Sequence, residues 1–109
     1  MPVVPEDAPP AGLVLEGTLS EYFIYLPQIT APAGVVQFAV ENIGRQRHNL
    51  RVLGTGVDQA TPSLRAGQSA SVDVLLVEPG AYTIYCDLAD HADRGMTMTF
   101  LVEDAFTKP

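Results

Sequence analysis

The chain has 109 residues, 47 % hydrophobic and 17 % charged, a globular composition that excludes disorder. Its formal charge of −7 excludes a nucleic-acid or anionic-membrane partner, since either needs clustered Lys and Arg. The length implies one domain able to bury a core without disulfide staples, and the single cysteine, Cys86, forbids an internal disulfide. It also excludes structural zinc sites of the four-Cys and two-Cys two-His kinds. No apolar run reaches the roughly 18 residues of a membrane-spanning helix.

The chain opens Met-Pro-Val-Val-Pro-Glu-Asp-Ala-Pro-Pro, with no basic stretch leading into an apolar segment, so it does not read as a signal peptide. Residues 1–11 read as a stiff proline-rich linker, and residues 12–109 as one domain. Such a linker suits a tether between a removed leader or lipid anchor and the domain.

From there the chain is punctuated as an all-β protein. Turn signals stand at Pro27, Pro32-Ala33-Gly34, Asn42-Ile43-Gly44, Gly54-Thr55-Gly56, Pro62, Ala66-Gly67-Gln68 and Pro79-Gly80. Strands are expected at residues 13–19, 22–26, 35–40, 48–53, 69–77, 81–86 and 96–102, with residues 55–66 able to hold a short helical turn. Two-sided alternation is clearest in Val36, Phe38, Val40 and in Val72, Val74, Leu76. Seven to eight such strands imply a Greek-key β-sandwich or barrel.

The two histidines, the cysteine and the methionines carry the chemistry. Cys86 ends a strand, four residues separate it from His91, and four more separate His91 from Met96. His48 stands 38 positions before Cys86, at the start of another strand. A thiolate, two imidazoles and a thioether can therefore meet at one end of the sandwich. Two His nitrogens and a Cys sulfur with a distant axial Met describe a blue-copper electron-transfer site, whose donors suit both Cu(I) and Cu(II). Met98 lies two residues on, on the same strand face, and competes for the axial role; the spacing favours Met96. Asn42 and Gly44 read as a turn and nothing else.

Four stretches resemble the cupredoxins. Glu41-Asn-Ile-Gly-Arg-Gln-Arg-His48-Asn49-Leu50 resembles the segment that supplies the first ligand, and Pro79-Gly-Ala-Tyr82-Thr-Ile-Tyr-Cys86 the strand into the thiolate. Cys86-Asp-Leu-Ala-Asp-His91 and Ala92-Asp-Arg-Gly-Met96 resemble the ligand loop, with a spacing similar to that of rusticyanin and auracyanin. The resemblance spans roughly residues 12–103. It implies a cupredoxin-like fold holding one type 1 copper, with His48, Cys86 and His91 equatorial and Met96 axial. Asn49 would hydrogen-bond across to the ligand loop, and Tyr82 would form a tyrosine corner. His91 would reach the surface and pass the electron.

The expected function is a small electron carrier and not an enzyme, a monomer that binds no small-molecule substrate. It would exchange electrons with protein donors and acceptors docking near His91. Asp87, Asp90 and Asp93 in the ligand loop have two readings: they lower the reduction potential and recruit a basic face on the partner, offset where Arg45, Arg47 and Arg94 lie nearby, or they are solvated loop residues and nothing more. A copper-delivery protein on the same fold is the alternative, disfavoured by one compact ligand set and no Met-rich tract. Nitrite reductases and multicopper oxidases need further histidines for their other coppers, and these residues hold only His48 and His91. The resemblance also implies a periplasmic or otherwise extracytoplasmic location.

Overall fold

The computed structural model describes residues 12–104. The linker expected at residues 1–11 lies outside the described residues. Nine strands follow in chain order: β1 (Leu13–Ser20), β2 (Phe23–Tyr25), β3 (Thr30–Pro32), β4 (Gly34–Asn42), β5 (Arg51–Gly54), β6 (Val57–Ala60), β7 (Ser69–Leu76), β8 (Gly80–Tyr85) and β9 (Thr97–Glu103). They form two mixed sheets, one in the order β2-β1-β4-β7 and the other β3-β9-β8-β5-β6. Most pairs are antiparallel; β1 runs parallel to β4, and β3 parallel to β9.

The structure adds β3 and β6 to the seven strands expected from the sequence, and both lie at a sheet edge. Val57-Asp-Gln-Ala offers one aliphatic β-former and no alternation, so its extended form comes from pairing with β5 rather than from its own pattern. It occupies the stretch considered for a helical turn. Thr30-Ala-Pro is short and contains proline, which an edge strand tolerates. The strand expected from His48 begins instead at Arg51. His48 itself is held by a two-way backbone bridge to Leu64, with N···O distances of 3.1 and 2.8 Å.

Alternation places the core where a sandwich needs it. Leu15, Leu19, Val36, Phe38, Val40, Val74 and Leu76 face inward from one sheet, and Val52, Tyr82, Ile84, Phe100 and Val102 from the other. Phe38 and Phe100 meet edge to face across the interior, with centroids 5.5 Å apart. Register then sets the functional end. Leu19 of β1 lies beside Asn42 of β4, and Arg51 of β5 and Thr97 of β9 both lie beside Tyr85 of β8. The β1–β2 tip therefore leaves the first sheet at the end where β4 finishes. In the second sheet, the chain entering β5, the chain leaving β8 and the chain entering β9 share one end.

Arg51 ties the edge of the second sheet to the segment after β8. Its guanidinium donates to both carboxylate oxygens of Asp58, at 2.8 and 2.7 Å, and reaches Asp87 at 3.3 Å. The hydrogen bond from Arg51 holds the Asp58 carboxyl below its ordinary value.

Phe38→Ala is expected to lower stability by about 3–5 kcal/mol in urea denaturation, because a filled inter-sheet space becomes a cavity. Leu101→Ala, on the exposed face of β9, is expected to stay within about 0.5 kcal/mol of wild type. Asp58→Asn is expected to lower the melting temperature at neutral pH. A depressed carboxyl contributes its stability above the unfolded value of 3.8 and loses it as pH falls through the lower folded value. The gap between variant and wild type should therefore close under acid, and a gap that widened would exclude the ion pair as its source.

Candidate metal centre

Four segments deliver side chains to the end where β8 stops and β9 begins. Cys86 follows β8 directly and is a free, buried cysteine, 1 % exposed. Its N–H donates to the Met96 carbonyl at 3.1 Å, which closes the loop between them. Within that loop the Met96 N–H donates to the His91 carbonyl at 3.0 Å, and the His91 N–H to the Leu88 carbonyl at 3.1 Å. The path needs Gly95, whose φ is +126° and whose missing Cβ would lie 2.9 Å from the Tyr22 carbonyl.

His48, Cys86 and His91 converge. One ring nitrogen from each histidine and the cysteine sulfur lie within 4.8 Å of one another, and all three residues are buried. The Cys86 sulfur is 3.5 Å from His91 Nδ1, and the two imidazole centroids are 4.8 Å apart. Met96 is fully buried at the same end, bonded through its backbone to both Cys86 and His91. Met98, by contrast, is half-buried against the core, opposite Ile84 of β8.

The outer nitrogens explain which atoms face inward. His48 Nε2 lies 3.0 Å from Glu21 Oε2, and His91 Nε2 lies 2.8 Å from Gln46 Oε1. Glu21 Oε2 also accepts the N–H groups of Arg45 and Gln46, at 2.8 and 2.6 Å. The Gln46 N–H is the largest influence on Glu21; burial opposes it, and His48 and the Arg45 N–H add to it, leaving the carboxyl at about 2. An ionised carboxylate only accepts, so Nε2 is the donor of that pair, and a neutral ring then keeps its lone pair on Nδ1. His48 Nδ1 is buried and, among the described residues, has no hydrogen-bond partner. An unpaired buried acceptor is costly unless something else binds it. A cysteine sulfur and two imidazole nitrogens, with the Met96 thioether as a candidate fourth donor, are the set that suits copper in both oxidation states.

Asn49 braces the thiolate side. Its carboxamide oxygen accepts from the Asp87 N–H and its nitrogen donates to Asp87 Oδ1, both at 2.9 Å, so the residue after Cys86 is gripped from β5's approach. The Tyr82 hydroxyl donates to the Glu78 carbonyl at 2.7 Å, fixing the entry to β8.

Two features depart from the sequence reading. His91 does not reach the surface: it is 4 % exposed, because Gln46 covers Nε2 and Tyr22 packs on the ring with centroids 5.4 Å apart. Asn42 does more than turn the chain. It is fully buried, accepts from Gly44 N–H at 2.8 Å, and donates to the carbonyls of Gln46 and Leu64 at 2.8 and 2.9 Å. It thereby braces both the Gln46 loop and the Leu64 bridge that holds His48. The acidic loop is offset by arginines, Arg94 as expected and Arg51 in addition. Asp87 pairs with Arg51, and Asp90 with Arg94 at 2.8 Å; the Arg94 hydrogen bond holds Asp90 below its ordinary value.

Glu21, Tyr22 and Gln46 are the functional residues that the sequence reading lacks. Glu21 and Tyr22 form the tip between β1 and β2, and each touches a different histidine. The Gln46 amide bridges His91 and the Tyr22 hydroxyl, to which it donates at 3.1 Å. No spacing marks these residues, since they meet the histidines only through the stacking of the two sheets.

The fold is that of a cupredoxin, and the His48-Cys86-His91 cluster with Met96 buried at the same end fits a type 1 copper site. The chain belongs to the multicopper oxidase family, whose family model matches residues 34–105. Its fold is similar to that of auracyanin B, with a TM-score of 0.75 and 21 % identity over 88 % of this chain and 92 % of that one. A dithionite-reduced auracyanin from the photosynthetic bacterium Roseiflexus castenholzii gives a TM-score of 0.67 and 16 % identity over 84 % and 95 %. A solved multicopper oxidase gives 0.68 and 19 % identity, over 89 % of this chain but only 44 % of that one. No curated protein matches the chain in sequence.

Gly95→Ala is expected to cost about 1 kcal/mol or more in thermal or urea unfolding, because alanine at this positive φ is strained and its Cβ would press on Tyr22. Recovery of wild-type stability in this variant would show that the loop has another path into Met96.

Proposed function

We propose that the protein is a blue-copper electron carrier, holding one copper with His48, Cys86, His91 and Met96. The observation that carries this reading is the buried Nδ1 of His48, without a hydrogen-bond partner among the described residues and set in a cluster with the Cys86 sulfur and a nitrogen of His91. Bound there, copper supplies a one-electron Cu(I)/Cu(II) couple.

The chain's own residues suit such a couple. The soft sulfur donors favour the reduced ion, and the imidazoles accept both states. Glu21 and Gln46 hold the outer nitrogens, Asn49 holds the residue after the thiolate, and the Leu64 bridge holds the His48 backbone. A site braced on every side needs little rearrangement between oxidation states. The burial of all four donor residues keeps bulk water from them. One of the similar folds is that of a dithionite-reduced auracyanin, in keeping with a redox role.

The family match raises the oxidase alternative. An oxidase centre needs further histidines for its other coppers, and these 109 residues contain two in all, both committed to the cluster. The proposal is therefore electron transfer without catalysis in this chain. Copper delivery is less favoured, since buried donors are poorly placed to hand a metal on.

Protein partners would dock over Gln46 and Tyr22, which cover His91. The loops at this end carry Arg45, Arg47 and Arg94 beside Asp87, Asp90 and Asp93, so the face is mixed in charge rather than simply acidic. An extracytoplasmic location, as the cupredoxin resemblance implies, completes the proposal.

Cu(II) added to the purified protein should produce an intense visible thiolate-to-copper band and a narrow parallel hyperfine splitting, both bleached reversibly by ascorbate. Cys86→Ser should abolish the band. Met96→Leu should keep it and raise the reduction potential; if Met98→Leu did so instead, the axial assignment would pass to Met98. A pale spectrum typical of tetragonal copper in the wild type would refute the electron-carrier reading.

A further inference from the structure

The β1–β2 tip places a carboxylate directly behind a histidine of the cluster. Glu21 Oε2 lies 3.0 Å from His48 Nε2, and the Glu21 side chain is 22 % exposed while His48 is fully buried. The same oxygen takes the N–H groups of Arg45 and Gln46, so three donors converge on one acceptor atom. The approach is possible because residue 44 is glycine: a Cβ there would stand 2.6 Å from the Glu21 carboxylate. The loop that covers the cluster is thus folded around this carboxylate. Among the described residues, Glu21 forms no ion pair with an Arg or Lys, so its charge is directed at His48 rather than cancelled by a cation.

The geometry points to Glu21 as the positioning residue for His48, and as a fixed negative charge that favours the more highly charged state of the metal. The inference rests on the electron-carrier reading above. Its first role is to hold the hydrogen on Nε2, which leaves the Nδ1 lone pair aimed into the cluster before any metal arrives. Ligating histidines commonly donate their second nitrogen to an acceptor, and a carboxylate there raises the basicity of the ring. Its second role is electrostatic. A negative charge acting through a buried ring, poorly screened by water, stabilises Cu(II) over Cu(I) and lowers the reduction potential. His91 has a neutral acceptor, Gln46, in the equivalent place, so the two imidazoles differ in donor strength.

Glu21→Gln separates the two roles, because the amide oxygen can accept the same three hydrogen bonds without the charge. Glu21→Ala removes both. Glu16→Gln, on the exposed side of β1, is the control for loss of one charge elsewhere. In the copper-free protein, long-range 1H–15N correlation should show His48 as the Nε2–H tautomer in wild type and Glu21→Gln, and a mixture in Glu21→Ala. After copper loading, Glu21→Gln should keep the intense band, bind Cu(II) about 10- to 100-fold more weakly, and shift the potential upward relative to Glu16→Gln. An Nδ1–H wild-type His48 would overturn the positioning role. A Glu21→Gln potential equal to that of Glu16→Gln, with the blue band present, would overturn the charge role alone. Absence of the band from the wild type would sink the electron-carrier reading and the charge role together.

Discussion

The pairing of β8 with β9 is the constraint on which the site depends. These two strands run antiparallel in one register, and the last backbone bond of their ladder runs from Cys86 to Met96. That bond fixes both ends of the ligand loop, so His91 must fold back between them. Cys86 and Met96 are brought together by the sheet rather than by the metal, and the loop inherits its rigidity. The core behind them, with Phe38 against Phe100, keeps the two sheets from sliding and so keeps the loops of one sheet over those of the other.

The second sheet alone cannot complete the site. His48 comes from the segment between β4 and β5, anchored to Leu64. Its outer nitrogen is held by Glu21 from the β1–β2 tip, while Tyr22 of the same tip packs on His91. Asn42 at the end of β4 braces the loop whose Gln46 caps His91. Each ring nitrogen facing away from the cluster is thus held by one side-chain oxygen, and each such side chain is held in turn by other parts of the chain. A braced donor set of this kind is what the proposed electron-carrier role requires, since it resists rearrangement.

Charge around the site follows the same logic of local pairing. The loop acids are not a free patch: Arg51 crosses from β5 to Asp87, and Arg94 answers Asp90 four residues earlier on the same loop. Arg94 also lies over the Tyr22 ring, 5.3 Å from its centroid. The overall charge of −7 therefore says little about the face over His91, where arginines and aspartates are interleaved.

The sequence by itself determined the all-β class and the strands whose two faces differ, because alternation with period two survives in a one-dimensional string. It pointed to the candidate metal donors as well, since a metal that wants sulfur and imidazole leaves few choices in a chain with one cysteine and two histidines. It did not carry β3 and β6, edge strands that take their form from a neighbour. Nor did it carry the burial of His91 or the parts played by Glu21, Tyr22, Gln46 and Asn42. Glu21 is 27 positions from His48, and Gln46 is 45 from His91, with no periodicity linking either pair. Only the stacking of one sheet on the other decided those contacts, because the reach of a hairpin tip across a sandwich depends on register and twist, which no local spacing records.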